Sequence, residues 1–167
     1  MATPPQYLLP WLTCTDYLMN KLQALSGQVA LEVLQQIWCP STEWDEHILH
    51  LDHDLVMHRD IMISAHGTPC WFARTILPSA TFQANLALFE RLDNEPLGNL
   101  IFQNEAVQRS AMRYYPIDPT DAEYTWVPEK IRGGQTELWM RLSTFCLNNS
   151  TSFYLAEIFL PGLETYA

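Results

Sequence analysis

The chain has 167 residues, 48% of them hydrophobic and 17% charged, which suits one domain spanning 1–167 and argues against a disordered chain. A formal net charge of −10 with nine Lys and Arg argues against a nucleic-acid surface, because phosphate backbones are held by clustered cations. No apolar run approaches the roughly 20 residues of a membrane span.

The opening "MATPPQYLLPWL" lacks the charged n-region and cleavage site of a secretory leader, so the scattered Cys14, Cys39, Cys70 and Cys146 read as free thiols of a cytoplasmic protein. "LLPWLTCTDYLMNKLQAL" has apolar residues at helical spacing and ends at "SG", residues 26–27. "QVALEVLQQIW" alternates as a strand, and residues 40 to 55 read as a loop. "VMHRDIMIS" and "TPCWFARTILP" form a predicted hairpin that turns near Gly67. A helix follows from Pro78, with Ser79 or Thr81 as its cap, and Pro96 suits the first turn of a short helix. "RSAMRYYPI", "TELWMRLSTFCL" and "SFYLAEIFLP" are strand-like, the last two joined by "NNST" as a second hairpin. Hairpin-linked strands imply an α+β fold, an antiparallel sheet with helices packed on one side.

Two charges interrupt apolar strands. Arg74 lies within "PCWFARTILP", on the face shared with Phe72 and Ile76. A buried, unpaired guanidinium costs several kcal/mol, roughly, so Arg74 either pairs with a carboxylate of the chain or awaits one from a ligand. Glu157 shares one face of "SFYLAEIFLP" with Phe153, Leu155 and Phe159, while Tyr154, Ala156, Ile158 and Leu160 form an equally apolar second face. Either face buries it, and burial favours its neutral form, a candidate proton or hydrogen-bond donor. The structural alternatives are an ion pair between Arg74 and Glu157, or a Glu157 satisfied by Arg113 or Arg141.

His47, His50, His53 and His58 invite a metal reading, but they lack an HExxH pattern and sit in loop-like sequence, so no metal is expected. No GxSxG, GxGxxG or P-loop pattern is present, and "RGGQ" reads as a turn. Trp38, Trp44, Trp71, Trp126 and Trp139 read as packing residues rather than a base-stacking platform.

"RDIMISAHGTPCWFARTILP" (59–78), "LDNEPLGNLIF" (92–102), the following Arg109 and the closing "LAEIFLP" (155–161) occur in the order found in chorismate–pyruvate lyases. "WLTCTDYLMNKL" (11–22) resembles that family's first helix and "LWMRLSTF" (138–145) its penultimate strand, leaving gaps at 40–55 and 114–136. The resemblance implies a six-stranded antiparallel sheet and an internal site under helical flaps. It implies conversion of chorismate to 4-hydroxybenzoate and pyruvate, the first committed step of ubiquinone synthesis, without metal or organic cofactor.

Carried over by position, the family's ring-carboxylate arginine matches Arg74 and its buried glutamate matches Glu157. Two residues acting through backbone N–H groups match Met19 and Leu97. Arg59, Arg109 and Arg113 are candidates for a second carboxylate. The family's usual "DSMT" is "DYLMN" here, its Glu after the hairpin arginine is Asp60, and the segment from Asp118 to Gln135 is longer than usual, with room to reshape a flap. A monomer is expected. The rival reading is a ligand-binding module of the same fold, as in effector domains of GntR-type regulators. Those normally follow a helix-turn-helix, and a chain starting almost directly with the first helix favours the enzyme.

Overall fold

In the computed structural model, which describes residues 2–167, six strands form one antiparallel sheet in the order β1-β2-β3-β6-β5-β4. They are β1 (Val29–Pro40), β2 (Leu55–Ala65), β3 (Thr68–Pro78), β4 (Val107–Ile117), β5 (Leu138–Leu147) and β6 (Thr151–Phe159). Both predicted hairpins are present. His66 (φ 49°) and Gly67 (φ 79°) turn β2 into β3, and Asn148 (φ 52°) and Asn149 (φ 57°) turn β5 into β6. Successive residues at positive φ match the right-handed twist of the paired strands, which is why Gly and Asn stand there. The β2–β3 ladder skips Cys70 in a bulge, so Ile63 pairs with Trp71 while Ser64 pairs with Pro69.

The described residues also form seven short α-helices: α1 (Leu9–Leu12), α2 (Leu18–Ser26), α3 (Glu43–Ile48), α4 (Ser79–Ala84), α5 (Leu86–Phe89), α6 (Leu97–Phe102) and α7 (Glu129–Arg132). The predicted N-terminal helix is thus two helices, interrupted over residues 13–17. The carbonyls of Trp11 and Cys14 at the break accept from Arg141 Nη1 at 3.1 and 2.5 Å. An interstrand guanidinium therefore takes over part of what a continuing helix would supply. Gly27, at φ 83°, ends α2 as expected.

Residues 40–55 are not all loop. Thr42 caps α3 in a capping box with Asp45, which also brings Asp45 under the helix. Neither Ser79 nor Thr81 caps α4. Pro78 occupies the cap position, and the Thr81 hydroxyl donates to the Ser152 carbonyl of β6 instead.

Alternation divides the sheet into two faces. The larger helical layer covers the face that carries Ile63, Trp71, Phe145, Phe153 and Phe159, using Trp11, Leu12 and Leu22 on one side and Phe89, Leu100 and Ile101 on the other. A smaller layer covers the opposite face, where Trp44, Tyr124 and Val127 pack on Met62, Phe72, Ile76, Met140 and Ile158. The long segment expected to reshape a flap supplies that second layer through a 3-10 turn, Ala122–Trp126.

Candidate active site

Between the first sheet face and the starts of α2 and α6 lies a cavity of about 60 Å³. Its floor is built from residues of all six strands: Leu31, Ile61 and Ile63, Ala73 and Thr75, Leu155 and Glu157, Arg141 and Phe145, and Arg109 at the edge. Tyr17, Leu18 and Met19 form one part of the roof, and Leu97 and Gly98 the other. The roof halves meet through Tyr17, whose ring stacks on Phe102 at 5.3 Å between centroids and an angle of 9°. Gly98 permits this approach: a β-carbon there would overlap the Tyr17 ring. The Tyr17 hydroxyl donates to Met19 Sδ at 3.3 Å.

Met19 and Leu97 thus both reach the cavity. Leu18 and Met19 open α2, and Leu97 and Gly98 open α6. First-turn amides have no acceptor within their own helix, so both roof segments carry N–H groups suited to an anion.

Glu157 also lines the cavity. Arg141, opposite it on β5, donates from Nε to Oε1 at 2.9 Å and brings Nη2 within 2.8 Å of the same oxygen. The two side chains are 6% and 1% exposed. A carboxylate so paired serves Arg141 as an acceptor, and the structural alternative naming Arg141 is the arrangement found. With both contacts on Oε1, Oε2 is the atom left to a ligand.

Arg74 requires a correction, because it does not line the cavity. Trp71, Ala73 and Thr75 of β3 do, and alternation turns Arg74 to the opposite face with Phe72 and Ile76. There it pairs with Asp60 directly across β2, from Nε to Oδ1 at 2.7 Å and Nη2 to Oδ2 at 2.9 Å, with Trp126 stacked on its guanidinium at 4.2 Å. Gln35 donates to the same Asp60 at 2.7 Å. Arg74 therefore has its carboxylate within the chain, and it neither meets Glu157 nor faces a ligand in the cavity.

The histidines hold structural positions in the same back layer or its margin. His58 Nε2 lies 2.8 Å from Asp45 Oδ2 in the interior, and His53 meets Glu46 at 2.8 Å on the surface. Burial alone would raise the Asp45 pKa. Its hydrogen bonds from His58 and the Thr42 amide outweigh that and hold it below the ordinary carboxylate value.

Of the three spare arginines, Arg113 packs over Tyr115, which pairs with Met140 on the back face. Arg59 and Arg109 belong to the cavity face. Arg59 precedes Ile61 on the same side of β2 and pairs across the ladder with Thr75. It is 3% exposed, yet its Nε and Nη1 have no hydrogen-bond partner. Burial lowers its pKa, while the Tyr17 oxygen pulls the other way. Burial likewise raises the Tyr17 phenol, against the Arg59 charge. A desolvated guanidinium without a counter-charge is costly, and an anionic ligand would offset that cost.

Sequence reasoning placed Glu157, Met19 and Leu97 at one site and ranked Arg74 above Arg59. It did not find Tyr17 at all. The "DYLMN" departure was its signal, since an aromatic residue stands at the start of α2.

The comparisons agree with this architecture. The family model described as "Chorismate lyase" matches residues 1–166. A "Probable chorismate pyruvate-lyase" from Azoarcus sp. (strain BH72) is 28% identical, covering 98% of this chain and 90% of the relative. Another of that name, from Aromatoleum aromaticum, is 29% identical over 95% of this chain and 87% of its own. Among solved structures, a GntR-family transcriptional regulator from Bacillus cereus superposes with a TM-score of 0.60 at 16% identity, covering 83% of this chain and 94% of that one. The effector domain of PhnF from Mycobacterium smegmatis does so with a TM-score of 0.59 at 12% identity, covering 87% and 89%. These structures share the fold. With the family model matched almost end to end, over a six-stranded sheet and its roofed cavity, the chain belongs to the chorismate lyase family.

Proposed function

We propose that this protein is a chorismate lyase that releases pyruvate from chorismate to give 4-hydroxybenzoate, the ring precursor of ubiquinone. The observation that carries the reading is the uncompensated, buried guanidinium of Arg59 on the same sheet face as Glu157 with its Arg141 partner. A ring acid with a carboxylate at one end and a hydroxyl at the other answers both. The carboxylate takes the free nitrogens of Arg59, with first-turn amides at Met19 and Leu97 adding donors. The 4-hydroxyl donates to Glu157 Oε2, and Arg141 holds that carboxylate in place.

In the reaction the bond between ring C3 and the ether oxygen breaks, and its electron pair leaves with enolpyruvate. C4 loses its hydrogen as a proton, the remaining pair completes the aromatic ring, and one proton converts enolpyruvate to pyruvate. The balance needs no oxidant or reductant. Aromatisation drives the reaction, so the site contributes geometry and charge placement. The arginine pair and the short helices over the ring serve both.

Incubating the purified protein with chorismate and following 4-hydroxybenzoate and pyruvate tests the reading. The expected result is equimolar release of both well above the spontaneous background, and no release above background overturns it. The second reading is a non-catalytic module of this fold that binds aromatic carboxylates; the regulator structures share that fold. Tight binding of 4-hydroxybenzoate without turnover of chorismate would establish that one.

A further inference from the structure

We infer that Arg109 binds the second carboxylate of the substrate and sets the preference for a dianionic ring acid over a monoanionic one. The inference rests on the lyase reading above and assigns a group that the reading leaves unplaced.

Arg109 lies opposite Phe145 on β4, at the far side of the sheet from Arg59. It borders two spaces at once: the inner cavity, and an outer groove formed by Thr15, Gln103, Asn104 and Val107. Ile101, Phe102 and Phe145 border both as well, so the groove and the cavity adjoin at this guanidinium.

The charge of Arg109 is poorly satisfied. Its Nε is buried without a partner, and Nη1 reaches the Thr15 carbonyl only at 3.5 Å. The Phe145 ring lies 5.1 Å beneath it, which holds the side chain without neutralising it. Glu105, the acidic residue in the groove, makes no ion pair with it among the described residues. Burial lowers the Arg109 pKa and the nearby charge of Arg141 adds to that, while Glu157 opposes both. Arg141 spends its own donors on Glu157, Trp11 and Cys14. Of the two cavity-lining arginines, Arg109 is therefore the one with donors to spare.

Geometry places it away from the first clamp. β2 and β4 are separated by four strand spacings, about 19 Å in all. Arg59 and Arg109 thus stand on the same sheet face with β3, β6 and β5 between their strands. A ring acid held by Arg59 would direct its C3 ether chain and terminal carboxylate towards Arg109 and the groove. 4-Hydroxybenzoate has no such arm and would leave Arg109 unpaired again.

The test compares two ligands that cannot react: 4-hydroxybenzoate, and its 3-carboxymethoxy derivative, which adds an ether-linked carboxylate. Binding of each to the wild type, Arg109→Gln and Arg109→Lys is measured by calorimetry. In Arg109→Gln the affinity for the dianion should fall about 10- to 100-fold, that for the monoanion should stay within about threefold, and Lys should restore part of the loss. An equal fall for both ligands would make Arg109 a general structural support, and no fall for the dianion would leave it without a role in binding. Either result overturns the inference while leaving the lyase reading intact. If the wild type binds neither ligand, that reading fails and takes the inference with it. Thermal unfolding of both variants identifies a loss of fold.

Discussion

Arg141 and Glu157 face each other across β5 and β6, and the guanidinium's Nε and Nη2 both approach a single oxygen, Oε1, at 2.9 and 2.8 Å. Glu157 is thereby held in place as an acceptor. Glu157→Gln keeps the shape and removes the charge. Turnover of chorismate should drop about 100-fold or more. Stability should also fall by about 3 kcal/mol, because Arg141 remains buried without its counter-charge. Activity and urea unfolding of the same variant check both, and unchanged turnover would remove Glu157 from the chemistry.

Arg59 and Arg74 should respond oppositely to replacement by Met. Arg59 has no carboxylate in the chain, so Arg59→Met should leave stability level or improved while 4-hydroxybenzoate affinity falls about 100-fold. Arg74→Met strands Asp60 in the interior and should cost about 3–5 kcal/mol, with little direct effect on the ligand. Paired calorimetry and unfolding measurements separate the two. If Arg74→Met instead abolished binding in a fully folded protein, the assignment of faces would be wrong.

Gly98→Ala should disturb the roof. The new methyl group overlaps the Tyr17 ring, so the starts of α2 and α6 must separate. Ligand affinity should fall about tenfold. Tyr17→Ala in the same chain should relieve the clash, giving a coupling energy of about 1 kcal/mol or more in a double-mutant cycle. Additive losses would mean that the two residues do not share a contact in solution.

Asp45 sets a pH dependence whose sign follows from its depressed pKa. A carboxyl held below its ordinary value of 3.8 when folded contributes stability above that pH and loses it as pH falls through the folded value. Asp45→Asn should therefore be less stable than the wild type at pH 6 by about 1–3 kcal/mol. The gap should narrow below about pH 4. Urea titrations at several pH values measure it, and a gap that widens in acid would contradict the assignment.

Much of the sheet was legible because its signals are local. Period-two alternation marked the strands, and the Gly67 and Asn-Asn turns marked both hairpins. The Arg141–Glu157 pairing also lay within reach, since the β5–β6 register runs without irregularity back from Leu147 and Thr151. Arg74 was misread for a definite reason. Its sheet face was correctly taken as that of Phe72 and Ile76, but nothing local says which face carries the cavity. Its partner was hidden as well. Counted from the β2–β3 turn without a bulge, Arg74 falls opposite Arg59, and the bulge at Cys70 puts it opposite Asp60 instead. The unpaired state of Arg59 depends on what the opposite layer fails to supply, which no strand pattern records. The second layer was missed because its capped helix and 3-10 turn are too short to show periodicity.

The bulge at Cys70 also governs how this chain can change in length. Along β3, side chains are committed alternately to opposite layers, with Ala73 and Thr75 on the cavity floor and Arg74 locked to Asp60. Substitution at one position alters one face. Deleting or inserting a residue in β3 would exchange the faces, burying Arg74 in the cavity and exporting the floor to the far layer. The 118–135 stretch packs away from the cavity and carries no such penalty. Homologues should therefore differ freely in length there and hold β3 to a constant count.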